Sequence, residues 1–394
     1  GLMDAHAENG RLSITDIFEP AIKCANEGAK INSTQAYVID ILKDILGLDS
    51  VSRELFFKDG NLLKEGDIYR NERLATFFSI LSKNKGAESF YTGDVAKSLL
   101  DFFKDGSSVS FDSLKSYKTK KQIPLEKDVN GYKMYTVPGP AVGGFLIQSM
   151  LRIISNLKVD VITPEVIATV IDHSSMIKTF LLDAEDLELK MDRLADDELF
   201  LSLIRSGYNN PKKFKGSING IGMLGSTTHV SVIDSNMNAV SVTTTNGAGC
   251  GYTVPEYGFM MNNMLGENDL NPMGVRLFKP GSRIPTMMAP TMLFKDGQIS
   301  CVLGSGGSSR IKSAIFQVLV NIIFNGMCLE DAISSPRIHI ENDVLYCEPG
   351  FNLSIDVSDV CRFNKPNLFF GGVNAASATS AVSDSRRSGC AYAV

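Results

Sequence analysis

The chain has 394 residues, 44% apolar and 21% charged, with mean hydropathy near zero, which is enough apolar material for a large buried core. A net charge of −5 and a pI near 5.5 argue against nucleic acid or an anionic membrane surface as partner. No apolar run approaches the length that spans a bilayer, and the basic stretch Lys115–Lys121, flanked by Asp112 and Glu126, reads as a solvated face.

The first 120 residues read as helical. Ser13 can cap a helix that runs to about Glu27 and stops at Gly28. A second starts near Ser33, carries Val38, Ile41, Leu42 and Ile45 on one face, and stops at Gly47. Two more are expected over Glu72–Ser82 and Asp94–Phe103. Asn130-Gly131 sets a turn before a short strand at Tyr132–Val137, which Pro138-Gly139-Pro140 breaks. Helices return over Gly144–Asn156 and Pro164–Leu182. The stretch Ser206–Gly222, rich in Gly, Asn, Lys and Pro, has no hydrophobic period and reads as an exposed linker.

Beyond the linker the pattern turns to strands. His229–Asp234 and Ala239–Thr245 are β-branched runs joined by Ser235-Asn236-Met237-Asn238, and Thr291–Phe294 pairs with Ile299–Leu303 through Asp296-Gly297. Both hairpins are nearly apolar on both faces, which predicts sheets covered on both sides. A helix from about Ser309 carries Ile311, Ala314, Ile315, Val318, Leu319, Ile322 and Ile323 as a broad apolar stripe. The order predicts an α+β fold, helices first and buried strands after, with a flexible joint between.

Seven cysteines, at 24, 250, 301, 328, 347, 361 and 390, form no CxxC pair and read as reduced, mostly buried thiols. The four histidines, at 6, 173, 229 and 339, are too dispersed for a metal site, and no cofactor motif stands out. The N-terminus lacks a signal-peptide pattern, so the cytoplasm is the expected compartment. The chain opens at Gly1 without an initiator methionine, which leads us to expect a preceding segment.

Three constellations could carry chemistry. In Gly225-Ser226-Thr227-Thr228-His229 a threonine opens a buried strand just after the loose linker. A threonine freed as a chain N-terminus supplies both a hydroxyl nucleophile and, in its own α-amine, a base with a pKa near 7.7–8.0. Taken alone, such a pair is more often plain β-propensity. Leu303-Gly304-Ser305-Gly306-Gly307-Ser308-Ser309-Arg310 is a glycine run between a strand and a helix, where outward N–H groups can hold an anion or a tetrahedral oxyanion. It lacks the Gly-Lys-Ser/Thr of a phosphate loop and the spacing of a dinucleotide fingerprint, and a tight turn without ligand accounts for it equally well. Thr243–Thr245 followed by Asn246-Gly247-Ala248-Gly249-Cys250-Gly251 is a Gly-rich loop suited to close approach of a ligand, or equally a mobile surface turn. Asn262-Asn263 and Glu267 add polar groups nearby. His229 reads as packing beside its strand rather than as a base, and Met260-Met261 and Met287-Met288 as core filling.

Taken together these blocks resemble the γ-glutamyltransferase family of N-terminal-nucleophile hydrolases. The resemblance rests on Thr227–Asp234 with Asn238–Thr243, on Gly258–Met264, Pro285–Thr291, Gly304–Ile311 and Asp384-Ser385-Arg386-Arg387. Upstream, Gly10-Arg11-Leu12, Pro20-Ala21, Phe90–Gly93 and Pro138–Gly144 match in kind and order. It implies a four-layer αββα sandwich made as one precursor that cuts itself before Thr227. Residues 1–226 would then form the large-subunit part and 227–394 the small-subunit part, together one αββα unit, for which a homodimer is an open option. By position Thr227 would be the nucleophile and Thr245 the second threonine hydrogen-bonded to it. Gly307 and Ser308 would supply the oxyanion-hole N–H groups, Thr286 would meet a substrate α-carboxylate, and Asn246 and Glu267 its α-amine. No cofactor and no metal are implied, and the partner is a small-molecule amide. Ser308 stands where the family has a second glycine, Met287 where it has a second serine and Met264 where it has a glutamine. Because methionine hydrogen-bonds poorly, the acyl group need not be glutamyl. The family's N-terminal quarter, with its carboxylate-binding arginine, would precede Gly1. The contrasting expectation is a non-catalytic, unprocessed relative acting as a binding or structural protein.

Overall fold

The computed structural model describes residues 1–83, 86–104, 109–157, 161–182, 187–195, 198, 200–202, 204, 227–267, 281–351, 353 and 360–393. The expected linker at 206–222, and Ser226 itself, lie outside them. The chain forms two compact units, Gly1–Lys121 with Gly249–Asn262, and Gln122–Ala248 with Asn263–Val394.

The first unit is mainly helical, as its periodicity predicts. The helix Ile14–Glu27 is capped by Ser13, whose Oγ accepts the Asp16 N–H at 3.1 Å, and Glu72–Leu81 and Asp94–Phe102 form close to the expected bounds. The second expected helix begins at Ser33, as its pattern predicts, with Asn32 and Gln35 closing a reciprocal capping box ahead of Ser33–Ile41. It breaks at Leu42 and resumes as the single turn Lys43–Leu46. Phe77, Val95, Leu99, Val254 and Tyr257 make one small core of this unit.

The second unit holds the strands, β1 (Leu125–Val129), β2 (Tyr132–Thr136), β3 (Thr227–Ile233), β4 (Ala239–Thr245), β5 (Thr291–Lys295), β6 (Gln298–Gly306), β7 (Ile338–Glu341), β8 (Val344–Cys347), β9 (Val360–Arg362), β10 (Gly372–Ala376) and β11 (Ala381–Val382). Its principal helices are α1 (Gly143–Leu157), α2 (Pro164–Leu181) and α3 (Arg310–Ile323). An antiparallel sheet runs in the order β11-β10-β6-β5-β2-β1, so strands from either side of residue 226 share it. The pattern at Leu-Glu-Lys-Asp-Val hides β1, because a strand at the sheet's edge with three exposed charges carries no apolar alternation. A smaller sheet, β7-β8-β9, pairs β8 with β9 in parallel.

Helices α1 and α3 pack on one another and on the large sheet, and the β3–β4 hairpin packs against β6 and β10. Thirteen residues of α3 are buried, and Leu146, Ile147, Met150, Val302, Leu303, Ile315 and Phe316 are fully sequestered. Truncating one such large apolar side chain to alanine costs about 2–5 kcal/mol. The architecture is therefore α+β, a helical layer on a sheet with a second sheet beyond.

Two expectations need correction. The β3–β4 hairpin is covered on its inner face only: Val230, Val232 and Val240 stand 53%, 49% and 51% exposed on the outer one. Apolar composition on both faces marked β-branched propensity there, not two-sided burial. The thiols, too, are mostly not buried: Cys301 and Cys347 are, whereas Cys24, Cys328 and Cys390 are exposed.

Candidate active site

Thr227 is the first residue of β3, directly opposite Thr245, the last of β4. The register holds because the turn between them is tightly specified. Asp234 accepts the N–H groups of Asn236 and Asn238 through Oδ1 and the Asn238 amide through Oδ2, while Met237 takes the positive φ. Thr227 is buried, and its Oγ1 donates to Thr245 Oγ1 at 3.1 Å. Thr245 Oγ1 in turn accepts the Gly247 N–H at 3.0 Å, which fixes the hydroxyl that faces Thr227.

The inner face of the hairpin meets the large sheet at unusually short range. A Cβ on Gly306 would sit 2.3 Å from the Thr227 carbonyl oxygen, and one on Gly304 2.3 Å from the His229 ring, so glycine is required at both positions. His229 lies in that seam, its Nδ1 paired with Thr243 Oγ1 at 2.7 Å and its Nε2 with Ser231 Oγ at 2.8 Å. Burial pushes its pKa down to about 4, so the ring is neutral across the physiological range and serves as interlayer packing.

The strand-to-helix turn after β6 follows at once. Gly307 has φ 134° and Ser308 φ 51°. The turn's own hydrogen bonds run from Arg310 N–H to the Gly307 carbonyl (3.0 Å) and from Ile311 N–H to the Ser308 carbonyl (3.1 Å), so the N–H groups of Gly307 and Ser308 are not spent on them. Ser308 holds the left-handed region at a cost of about 1–2 kcal/mol relative to glycine. Ser305 braces the turn, its Oγ donating to the Gly306 carbonyl at 2.8 Å and accepting the Gly372 N–H at 3.1 Å.

Asn246 and Glu267 join this group through Asn263. The Asn246 carbonyl accepts the Asn263 N–H at 3.2 Å, and Asn263 Oδ1 accepts the Ala248 N–H at 2.8 Å. A Cβ on Gly247 would lie 2.2 Å from Asn263 Oδ1 and 2.8 Å from Glu267 Oε1, so the Glu267 carboxylate approaches the loop that leaves Thr245. Thr286 is held differently, its main chain bridging to Ala141 and its carbonyl accepting the Val142 N–H at 2.8 Å. Met287 and Met264 are both buried in the main core, which accounts for their side-chain chemistry.

Sequence reasoning gave no role to Asn263 or to the C-terminal Asp384–Arg387 block. That block is a 3₁₀ turn, Ser385–Arg387, capped by Asp384 and locked by buried charges. Arg337 meets Asp384 at 2.7 Å, and Arg386 meets Glu348 at 2.6 Å and Asp384 at 3.2 Å. Burial alone would raise the Asp384 carboxyl, but Arg337, Arg386 and two backbone N–H groups hold it below its ordinary value. The lock carries Arg387 to the Gly306–Gly307 backbone.

Comparison with known proteins finds relatives along the whole chain. A family model described as Gamma-glutamyltranspeptidase matches residues 1–394. The glutathione hydrolase proenzyme of Bacillus subtilis (strain 168) is 31% identical over 377 residues, covering 86% of this chain and 62% of that protein. The capsule biosynthesis protein CapD proenzyme of Bacillus anthracis is 28% identical over 392 residues, covering 95% of this chain and 70% of that protein. The crystal structure of cephalosporin acylase from Bacillus halodurans superposes with a TM-score of 0.78 at 22% identity, covering 99% of this chain and 76% of that one, a likeness of fold. The chain spans a little under two thirds of the length of the curated glutathione hydrolases it matches.

Proposed function

We propose, from the premise that this chain belongs to the gamma-glutamyltranspeptidase family, that it is a self-processing amidohydrolase or acyltransferase whose nucleophile is Thr227. The observation that carries the reading is the Thr227–Thr245 hydroxyl pair at a buried strand start, against the Gly304–Ser308 turn. Neither a binding module nor an idle relative needs a buried threonine hydroxyl braced by a second hydroxyl beside a turn of positive-φ residues.

In the processing step, Thr227 Oγ1 adds to the Ser226 carbonyl carbon and the peptide C–N bond breaks, its nitrogen taking the hydroxyl proton. Water then hydrolyses the resulting ester, leaving a carboxylate on Ser226 and a free α-amine and hydroxyl on Thr227. In turnover, that α-amine takes the hydroxyl proton as Oγ1 attacks the substrate amide, and it passes the proton to the departing amine. The tetrahedral oxyanion would be met by the N–H groups of Gly307 and Ser308, a contribution worth about 2.7–4 kcal/mol per donor in comparable sites. Water or an acceptor amine then resolves the acyl-threonine ester. Thr245 orients the nucleophile, Asn246 and Glu267 are the groups assigned to a substrate ammonium, and Thr286 to its carboxylate. Asn263 positions the Asn246–Ala248 loop. Residues 1–226 and 227–394 act together as large and small subunits.

The acyl group is a γ-glutamyl or related carboxyl-bearing chain. Glutathione hydrolase, capsule-biosynthesis and acylase names among the relatives support that breadth. The test is to incubate the processed protein with γ-glutamyl-p-nitroanilide and glutaryl-p-nitroanilide, following anilide release and the mass of the Thr227 fragment. Anilide release with a transient acyl adduct on that fragment is expected. Release that persists in Thr227→Ala would refute the assignment.

A further inference from the structure

Arg387 is a half-buried cation that takes no part in the scheme above. Its stem lies along Gly372, where a Cβ would fall 2.7–2.9 Å from its Cβ, Cγ and Cδ atoms. Its Nη1 lies 3.1 Å from the position a Cβ would take on Gly306, the same position that is 2.3 Å from the Thr227 carbonyl oxygen. Its Nη2 lies 3.5 Å from the corresponding point on Gly307 and donates to the Leu368 carbonyl at 3.4 Å. Three glycines therefore keep one guanidinium beside the first residue of β3 and the turn that follows β6. The ion-paired turn Asp384–Arg386 leaves it little freedom to withdraw.

We propose that Arg387 is a positioning residue that holds the α-amine of processed Thr227 in its unprotonated, base-competent form by placing a fixed positive charge beside it. This rests on the reading of Thr227 as an N-terminal nucleophile. An ordinary α-amine is more than half protonated at neutral pH, and a protonated amine cannot accept the hydroxyl proton. A like charge held near an amine in a partly desolvated site disfavours the ammonium form and lowers that pKa. Arg387 takes no proton itself. Burial and the neighbouring Arg310 bring its own pKa down to about 10, against the pull of Asp384, which leaves it charged throughout the working range.

The other groups facing Thr227 carry little charge of their own or are already paired. His229 on the same strand is neutral, β4 offers only Thr243 and Thr245, and β6 offers Ser305. Arg310, at the start of α3, is paired with Glu341 at 3.4 Å. Asp384 is shared between Arg337 and Arg386. Among the described residues, Glu267, beyond Thr245 near Gly247, is a carboxylate that acts in the opposite sense, and Arg387 must prevail over it.

The experiment is the pH dependence of kcat/KM in the processed full protein, for wild type, Arg387→Lys, Arg387→Met and Arg387→Gln. Competitive acylation of the Thr227 α-amine in the wild type measures its pKa directly. We expect a wild-type amine pKa below about 7. The acid limb should move up by about one pH unit in the Met and Gln variants and stay close to wild type in the Lys variant. A merely structural Arg387 would lower kcat without moving that limb. Should the Met variant misfold, the Gln variant retains the donor to Leu368 and carries the same prediction. A wild-type amine at its ordinary 7.7–8.0, or a neutral variant whose acid limb coincides with wild type, would overturn the proposal. A wild type that never exposes a Thr227 amine would instead remove the functional reading on which it rests.

Discussion

Gly306→Ala is the sharpest perturbation of the seam between the two sheets. The added Cβ would fall 2.3 Å from the Thr227 carbonyl oxygen, where 3.0 Å is the shortest contact that real Cβ atoms tolerate. The obstacle is backbone on a hydrogen-bonded strand, so no side-chain rotation relieves it, and β3 must move by about 0.7 Å relative to β6. Misplacement on the order of 1 Å near reacting atoms costs roughly 10²-fold in rate, and overpacking of this kind costs about 1–3 kcal/mol of stability. Self-cleavage is the right readout because it needs no knowledge of the substrate. Purified wild type and variant would be followed by intact mass over time, with circular dichroism as the folding control. The variant should cut about a hundred times more slowly while keeping its secondary structure. A variant that cuts at the wild-type rate would show that Thr227 and the Gly306 backbone are not rigidly coupled.

Thr245→Val removes the hydroxyl that accepts from Thr227 Oγ1 and from the Gly247 N–H; turnover should fall about 10–10²-fold, with Thr245→Ser recovering most of it, as single-turnover kinetics would show. His229 has a folded pKa of about 4 against an ordinary 6.5, so the unfolded state binds its proton first. Its contribution is fully present above about pH 6.5 and is lost as pH falls toward 4, on the order of 3 kcal/mol at most, and urea titrations of His229→Asn should show a flatter acid dependence than wild type. Arg386→Met leaves Glu348 and part of Asp384 buried without their cation and should cost about 3–5 kcal/mol, read as a lower urea midpoint.

Much of this was legible in the sequence, for physical reasons that differ by element. Long amphipathic runs such as Pro164–Leu181 and Arg310–Ile323 announce themselves, because burial along one face imposes the period. Both hairpins were visible through their turn residues, and the register that sets Thr227 against Thr245 follows from Asp234 and Asn238. The edge strand Leu125–Val129 was hidden by its charges. The half-exposed outer face of the β3–β4 hairpin was hidden for the opposite reason, since Val230, Val232 and Val240 are apolar without being covered. At the site, the hydroxyl pair and the glycine turn could be anticipated from local composition. The contribution of Arg387 could not: it depends on a residue 160 positions along the chain arriving beside Gly306 through four buried charges on three separate segments.

The central claim is that Thr227 is a nucleophile that frees its own amine. It is tested most directly by intact mass and N-terminal sequencing of the purified full-length protein, beside Thr227→Ala. The wild type should yield two fragments, one of them beginning at Thr227, and the variant a single uncut chain. A wild type that stays whole, or a variant that still cuts after Ser226, would contradict it.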